Sequence, residues 1–242
     1  DKIIMGMSGG EMGVRGWIDA YDPATGKQLW RFYTIPKPDE PGGDTWPGDS
    51  WQYGGGATWL TGSYDAATNT LWWPVGNPGP DYNPDIRKGD NLYTDSVVAL
   101  DADTGKLKWH YQFTPNDAHD WDSTEDMVLA DQMIDGKPRK LLLHADRNGV
   151  FYVLDREAHK FLWAKPFVRV TWAKGWDANG RPIINQDTVV KPEGAVVFPT
   201  GSATNFQAPS YDSQTGIFYM MFNDAQGFVA SAPATYEKGK EY

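Results

Sequence analysis

Apolar and polar residues alternate over short runs along most of this 242-residue chain, and the runs break at Asn, Asp, Gly or Pro. Ser96–Leu100, Leu107–Phe113, Lys140–His144, Val150–Leu154 and Ile217–Phe222 have strand length, and the chain opens the same way over residues 1–6. A period of two with turn residues at the breaks predicts β-structure nearly throughout. No window of ten or more residues carries a helical stripe. The nearest is Ser123–Met133, whose apolar positions Met127, Val128, Leu129 and Met133 fit neither period; a short turn or helix is expected there.

One turn recurs. Asp22-Pro-Ala-Thr-Gly-Lys27 leads to Trp30, Asp101-Ala-Asp-Thr-Gly-Lys106 to Trp109, and Asp155-Arg-Glu-Ala-His-Lys160 to Trp163. Weaker copies begin at Asp65, with Trp72, and at Asp212, with Phe218 and Tyr219; the successive spacings are 43, 36, 54 and 57 residues. In Asp-x-x-Thr-Gly the carboxylate accepts backbone N–H groups, Gly takes the left-handed position and Lys starts the return strand. A unit of roughly 40–55 residues that ends in a docking aromatic is the mark of a β-propeller, whose blades bury their faces against each other. The fold class is therefore all-β, and the Trp residues read as structural.

Composition sharpens this. With 12 Trp, 12 Tyr and 10 Phe, the chain has large flat side chains to fill gaps between sheets. The absence of Cys excludes a thiol nucleophile, a Cys-bound zinc and an iron–sulfur cluster, so redox chemistry would need a bound cofactor. A net charge of −10 argues against nucleic acid or an anionic membrane as partner. No apolar run reaches the roughly 18 residues of a membrane span. There is no initiator Met and no charged-then-apolar leader, and the expectation is a piece of a longer, soluble protein.

Polar groups gather in three segments. Glu11 lies in the Gly-rich run Ser8-Gly9-Gly10-Glu11-Met-Gly-Val-Arg-Gly16, where missing side chains let another object approach. Asn77 sits between Gly76 and Pro78 at a strand end, and Asp120 and Asp122 are two apart. In an extended segment those carboxylates would share a side and repel, unless a cation lies between them. Oxygen donors without His or Cys select a hard ion. The bland reading of each segment alone is a solvated acidic loop, and His110, His119, His144 and His159 show no ligand spacing. Trp59, after Gly54-Gly-Gly-Ala-Thr, could stack on a flat ring or be a core residue, and Asp146-Arg147-Asn-Gly149 reads as a hairpin turn.

Taken together, Ser8–Gly16, Gly54–Trp59, Gly76–Pro80, Gly89-Asp-Asn-Leu-Tyr-Thr-Asp-Ser96, Asp120-Trp-Asp122 and Asp146–Gly149 resemble, in order, the pyrroloquinoline-quinone (PQQ) dependent alcohol dehydrogenases of the methanol/ethanol dehydrogenase family. The resemblance implies part of an eight-bladed propeller, about four to five blades, forming one partial PQQ-binding domain over residues 1–242. It implies metal ligation by Glu11, Asn77 and Asp120, with Asp120 the catalytic base. It further implies stacking of PQQ on Trp59, contact of Arg147 with the quinone oxygens, and a cofactor lining of Ser8, Gly9, Gly10 and Asn205. Ala57 stands where many members have Thr, and the family's vicinal disulfide and other cofactor ligands would lie upstream. Asp122 matches the lanthanide-dependent members, where a third negative charge offsets a trivalent ion; calcium is the alternative. A primary alcohol as substrate, a c-type cytochrome as acceptor, a periplasmic setting and a homodimer complete the expectations. The competing readings are a PQQ sugar dehydrogenase and a non-catalytic, Trp-docked scaffold. An unclosed ring would leave blade faces bare, so the isolated piece is expected to be poorly soluble and inactive.

Overall fold

The computed structural model describes residues 1–134 and 136–237. The described residues are β-strands and loops, and their helical pieces are five 3₁₀ turns of three or four residues. The chain divides into two compact units, Asp1–Thr124 together with the C-terminal segment from Ala234, and Glu125–Pro233.

The first unit holds two antiparallel sheets. Strands β1 (Ile3–Met5), β2 (Trp17–Tyr21) and β3 (Gln28–Tyr33) form one; β4 (Ser63–Asp65), β5 (Thr70–Val75), β6 (Ser96–Asp101) and β7 (Leu107–Gln112) form the other, each pairing with the next in sequence. Such four-stranded meanders are the unit that the repeat predicted. β5 is buried along its whole length because it is central and covered on both faces. Ile18 from the first sheet joins Leu71, Trp73, Val75, Val98 and Leu100 from the second in one core cluster.

The recurrent turn behaves as its chemistry requires. Asp22 Oδ1 accepts from the backbone N–H groups of Ala24 and Thr25 and from Thr25 Oγ1, at 2.8 to 3.0 Å. Asp101 repeats all three bonds onto Asp103 and Thr104. Gly26 and Gly105 take φ 69° and 68°. Where the third copy lacks Gly, His159 takes the left-handed position at φ 52°, and Asp155 still accepts from Glu157 and Ala158. Trp30 docks on the neighbouring sheet: its indole Nε1–H donates to Ala102 O at 3.2 Å, over Gly105, where a Cβ would meet the ring. Trp163 instead lies against Phe151 of its own sheet.

In the second unit β8 (Val128–Ile134), β9 (Lys137–Ala145), β10 (Val150–Asp155) and β11 (Lys160–Pro166) make a second four-stranded meander. Residues 128–134, expected as a turn or helix, are thus a strand. Pairing with β9 and burial of Ala130 against Leu141, Leu143 and Val153 settle what the local period did not. Three two-stranded antiparallel sheets follow: β12 (Ala173–Trp176) with β13 (Pro182–Ile184), β14 (Ala195–Val197) with β17 (Gly227–Val229), and, between these last two in sequence, β15 (Ser210–Asp212) with β16 (Ile217–Tyr219). The fifth copy of the repeat, at Asp212, is the last of these, with Thr215 and Gly216 in their expected roles.

Candidate metal and cofactor site

Three glycine-rich segments of the first unit lie directly on one another. Gly16 N–H donates to Gly55 O and Gly55 N–H to Val14 O, while Gly56 N–H donates to Asn77 O and Gly79 N–H to Gly54 O, all within 2.8 to 3.0 Å. A Cβ on Gly55 would fall 2.6 Å from Gly79 N and 2.9 Å from Asn77 O. The glycines that sequence reasoning reserved for a ligand therefore admit backbone first, and by doing so they fix the loops that carry Glu11, Asn77 and Trp59.

Glu11 sits exposed on the 3₁₀ turn Gly10–Met12, whose entry is Gly9 at φ 87°. Asn77 follows β5 and is 1% exposed. Its Nδ2 donates to Asp81 Oδ1 at 2.6 Å, and its Oδ1 is buried with no hydrogen-bond partner among the described residues. Asp122 Oδ1 accepts from Asn77 N–H at 2.9 Å, and its Oδ2 accepts from Trp59 Nε1–H at 3.1 Å. Asp122 thus ties the edge of the Trp59 ring to the backbone beside Asn77. Ser8 and Trp59 share the wall of a cavity of about 340 Å³ that Thr58 and Trp73 help to line.

Asp120 and Asp122 do not share an extended segment. Asp117 is buried, and its two carboxylate oxygens accept from His119 N–H and Trp121 N–H at 2.9 and 2.8 Å, turning the chain. Asp120 consequently adopts φ 58° and Trp121 is fully buried between the two carboxylates. Asp122 faces Asn77 and Trp59, whereas Asp120 Oδ2 accepts from the Tyr82 hydroxyl at 3.4 Å.

Three residues of this site escaped sequence reasoning. Asp81 is pushed up to about 7, by burial first, then by Glu11 and, less strongly, Asp122; the bond from Asn77 and the charge of Arg87 pull the other way. The Tyr82 phenol is raised to about 12, by burial and then by Asp120 and Asp81. Glu11, Asp81, Asp120 and Asp122 therefore act on a common neighbourhood, which is what a cation between them would relieve. Arg87 is wholly buried. Its guanidinium donates to Pro80 O, Asp81 O, Asn91 Oδ1 and, at 2.6 Å, Asp117 O, so one fork fastens the Asn77–Asp81 loop to the Asp117–Asp122 loop. Asp81 abuts the Gly76–Pro80 motif, and that adjacency was the available signal. Arg87 gave none, since its acceptors are backbone carbonyls and one amide oxygen, that of Asn91.

Gly76 tests how tightly the site is assembled. A Cβ there would overlap Asp122 Oδ1. Gly76→Ala in the full-length protein is expected to cost about 1–3 kcal/mol of stability and to weaken ion binding at least tenfold, measured by thermal melts and metal titration.

The remaining predicted residues belong to the second unit. Asp146–Gly149 is the turn between β9 and β10, closed by Gly149 N–H to Asp146 O at 3.0 Å and by Asp146 Oδ1 accepting from Asn148 N–H. The bland turn reading holds, and the turn also presents Arg147, whose Nη2 donates to Asn205 Oδ1 at 3.1 Å. Sequence reasoning named both residues separately; the fold puts them in contact. It also brings together what no sequence spacing announced. Glu125, His144 and Asp146, all buried, each offer an atom within 4.8 Å of the others, with His144 Nε2 3.1 Å from Asp146 Oδ2. Arg147 Nε lies 3.5 Å from Glu125 Oε1, so this cluster already has a cation beside it.

The donors around Asn77 fit a hard ion. All are oxygens, and a buried carboxamide oxygen without a hydrogen-bond partner calls for an electropositive neighbour. Comparison with known proteins agrees with the fold. Residues 1–170 match the PQQ-linked glucose/ethanol/alcohol dehydrogenase β-propeller domain. The chain belongs to the PQQ-dependent alcohol dehydrogenase family. Among its relatives, the quinohemoprotein alcohol dehydrogenase of Comamonas testosteroni is 47% identical over 236 residues, which cover 90% of this chain and 33% of that protein. The lanthanide-dependent methanol dehydrogenase of Methylacidiphilum fumariolicum (strain SolV) is 38% identical, covering 100% of this chain and 43% of that protein. The structure of a europium-containing methanol dehydrogenase superposes with a TM-score of 0.93 at 37% identity, over 100% of this chain and 46% of that one. The fold of this family member is that of the β-propeller domain, and the chain spans between a third and a half of the length of these relatives.

Proposed function

We propose that the protein to which this chain contributes oxidises primary alcohols to aldehydes with PQQ and a bound metal ion, and passes the electrons to a c-type cytochrome. The observation that carries this reading is the buried Asn77 Oδ1, which has no hydrogen-bond partner among the described residues, on a residue that donates to Asp122 and to Asp81, the carboxylate on which Glu11 and Asp122 both act. Glu11, Asn77, Asp120 and Asp122 would hold the ion. Three formal negative charges among these four favour a trivalent lanthanide over calcium.

When bound, PQQ supplies the two-electron acceptor and the ion a Lewis acid at its carbonyl. The chain's own groups do the rest. Asp120 would take the hydroxyl proton of an alcohol whose C–H hydride goes to bound PQQ, so that the alcohol loses two electrons and two protons on becoming the aldehyde. Tyr82 O–H faces the same carboxylate and orients it. Trp59 offers a ring face whose tilt is fixed by its bond to Asp122. Ser8, Gly9 and Gly10 contribute a wall with little bulk. Arg147, whose guanidinium donates to Asn205 Oδ1, would offer its remaining N–H groups to a quinone oxygen. A periplasmic location and a homodimer are part of the same proposal.

The test is a dye-linked oxidation assay on the complete protein reconstituted with PQQ and either calcium or lanthanum. Turnover of primary alcohols, higher with lanthanum, is expected. Turnover of aldoses alone would favour the sugar dehydrogenase reading.

A further inference from the structure

Asp81 sits four residues after Asn77 and receives its carboxamide N–H at 2.6 Å, the shortest polar contact that Asn77 makes. Ionised, the Asp81 carboxylate is an acceptor only, so this bond dictates which arm of the amide is nitrogen. The other arm, Oδ1, is thereby presented as the buried acceptor with no hydrogen-bond partner among the described residues. Asp81 is itself held from behind: Arg87, fully buried, donates to the carbonyls of Pro80 and Asp81 and fixes the backbone from which the carboxylate projects. The carboxylate also lies within electrostatic reach of Glu11 and Asp122, and its chain neighbour Tyr82 contacts Asp120.

We propose that Asp81 sets the charge class of the ion: it turns Asn77 Oδ1 toward the ion and places a fourth carboxylate beside Glu11, Asp120 and Asp122. This rests on the ion site of the proposed function. The orientation serves any hard cation, since every one wants the amide oxygen. The charge discriminates, because one carboxylate attracts a 3+ ion half again as strongly as a 2+ ion at the same distance. Asp81 is thus a positioning residue for Asn77 and a selectivity residue for the metal. Its two roles separate by substitution: Asp81→Asn keeps an oxygen for the Asn77 N–H and removes only the charge, whereas Asp81→Ala removes both.

The experiment uses metal-free full-length protein, with Eu3+ luminescence reporting binding and Ca2+ as competitor, and thermal melts confirming that each variant is folded. Asp81→Asn is expected to lower the Eu3+ to Ca2+ affinity ratio at least tenfold. Asp81→Ala is expected to weaken both ions, and Asp81→Glu, which restores the charge, to return the ratio to within about threefold of wild type. Eu3+ binding to wild type with an unchanged ratio in Asp81→Asn overturns the assignment to Asp81 alone. Failure of wild type to bind Eu3+ defeats the ion site, and with it both proposals.

Discussion

Replacing Asp120 by Asn in the full-length enzyme is expected to lower kcat by about two to four orders of magnitude while PQQ and the ion remain bound. The substitution is clean for a structural reason. Asp120 holds φ 58°, a conformation that Asn tolerates far better than most residues, so the loop between the Asp117 cap and the Val75–Ser123 bridge should keep its path. An amide also still offers an oxygen to the Tyr82 hydroxyl. What it removes is the capacity to take a proton. Steady-state kinetics, with PQQ occupancy read from its absorbance, separates the two outcomes. Turnover within a factor of a few of wild type would remove Asp120 from the chemistry.

Asp122 gives the second large effect, and the structure changes how it must be probed. Both oxygens of Asp122 already accept protein hydrogen bonds, from Asn77 N–H and Trp59 Nε1–H. Asp122→Ala would strand those donors at a cost of about 1–3 kcal/mol and loosen the Asn77 loop whatever the ion, so activity should fall with calcium and lanthanum alike. Asp122→Asn keeps the bond to Asn77 and removes the charge. It is expected to retain calcium-supported turnover within about tenfold and to lose at least a hundredfold of the lanthanum-supported rate, as the change in charge against a 3+ ion demands. Equal losses with both metals would show that Asp122 serves the loop and not the choice of ion.

The difference between these two variants shows where sequence reasoning stops. The turns were legible because Asp-x-x-Thr-Gly writes its own hydrogen bonds: Asp22 and Asp101 make them atom for atom. Docking of Trp30 on Ala102 followed from the same repeat. Whether the segment of Asp120 and Asp122 is extended stayed open in the sequence, because the residue that bends it, Asp117, acts through two bonds to backbone N–H groups that no pattern encodes. The roles of Asp81 and Arg87 went unread for a related reason. Their partners are amide side chains 4 residues away and carbonyls up to 30 residues distant. The Glu125–His144–Asp146 cluster joins a pair two residues apart to a carboxylate from a loop distant in sequence. Local chemistry was readable; the long-range convergence that makes a site was readable only through likeness to a family.

The most direct measurement is anomalous scattering from crystals of the full-length protein grown with PQQ and Eu3+. One strong lanthanide peak is expected within bonding distance, about 2.3–2.6 Å, of oxygens of Glu11, Asn77, Asp120 and Asp122. A peak at Glu125, His144 and Asp146 instead, or none near Asn77, would contradict it.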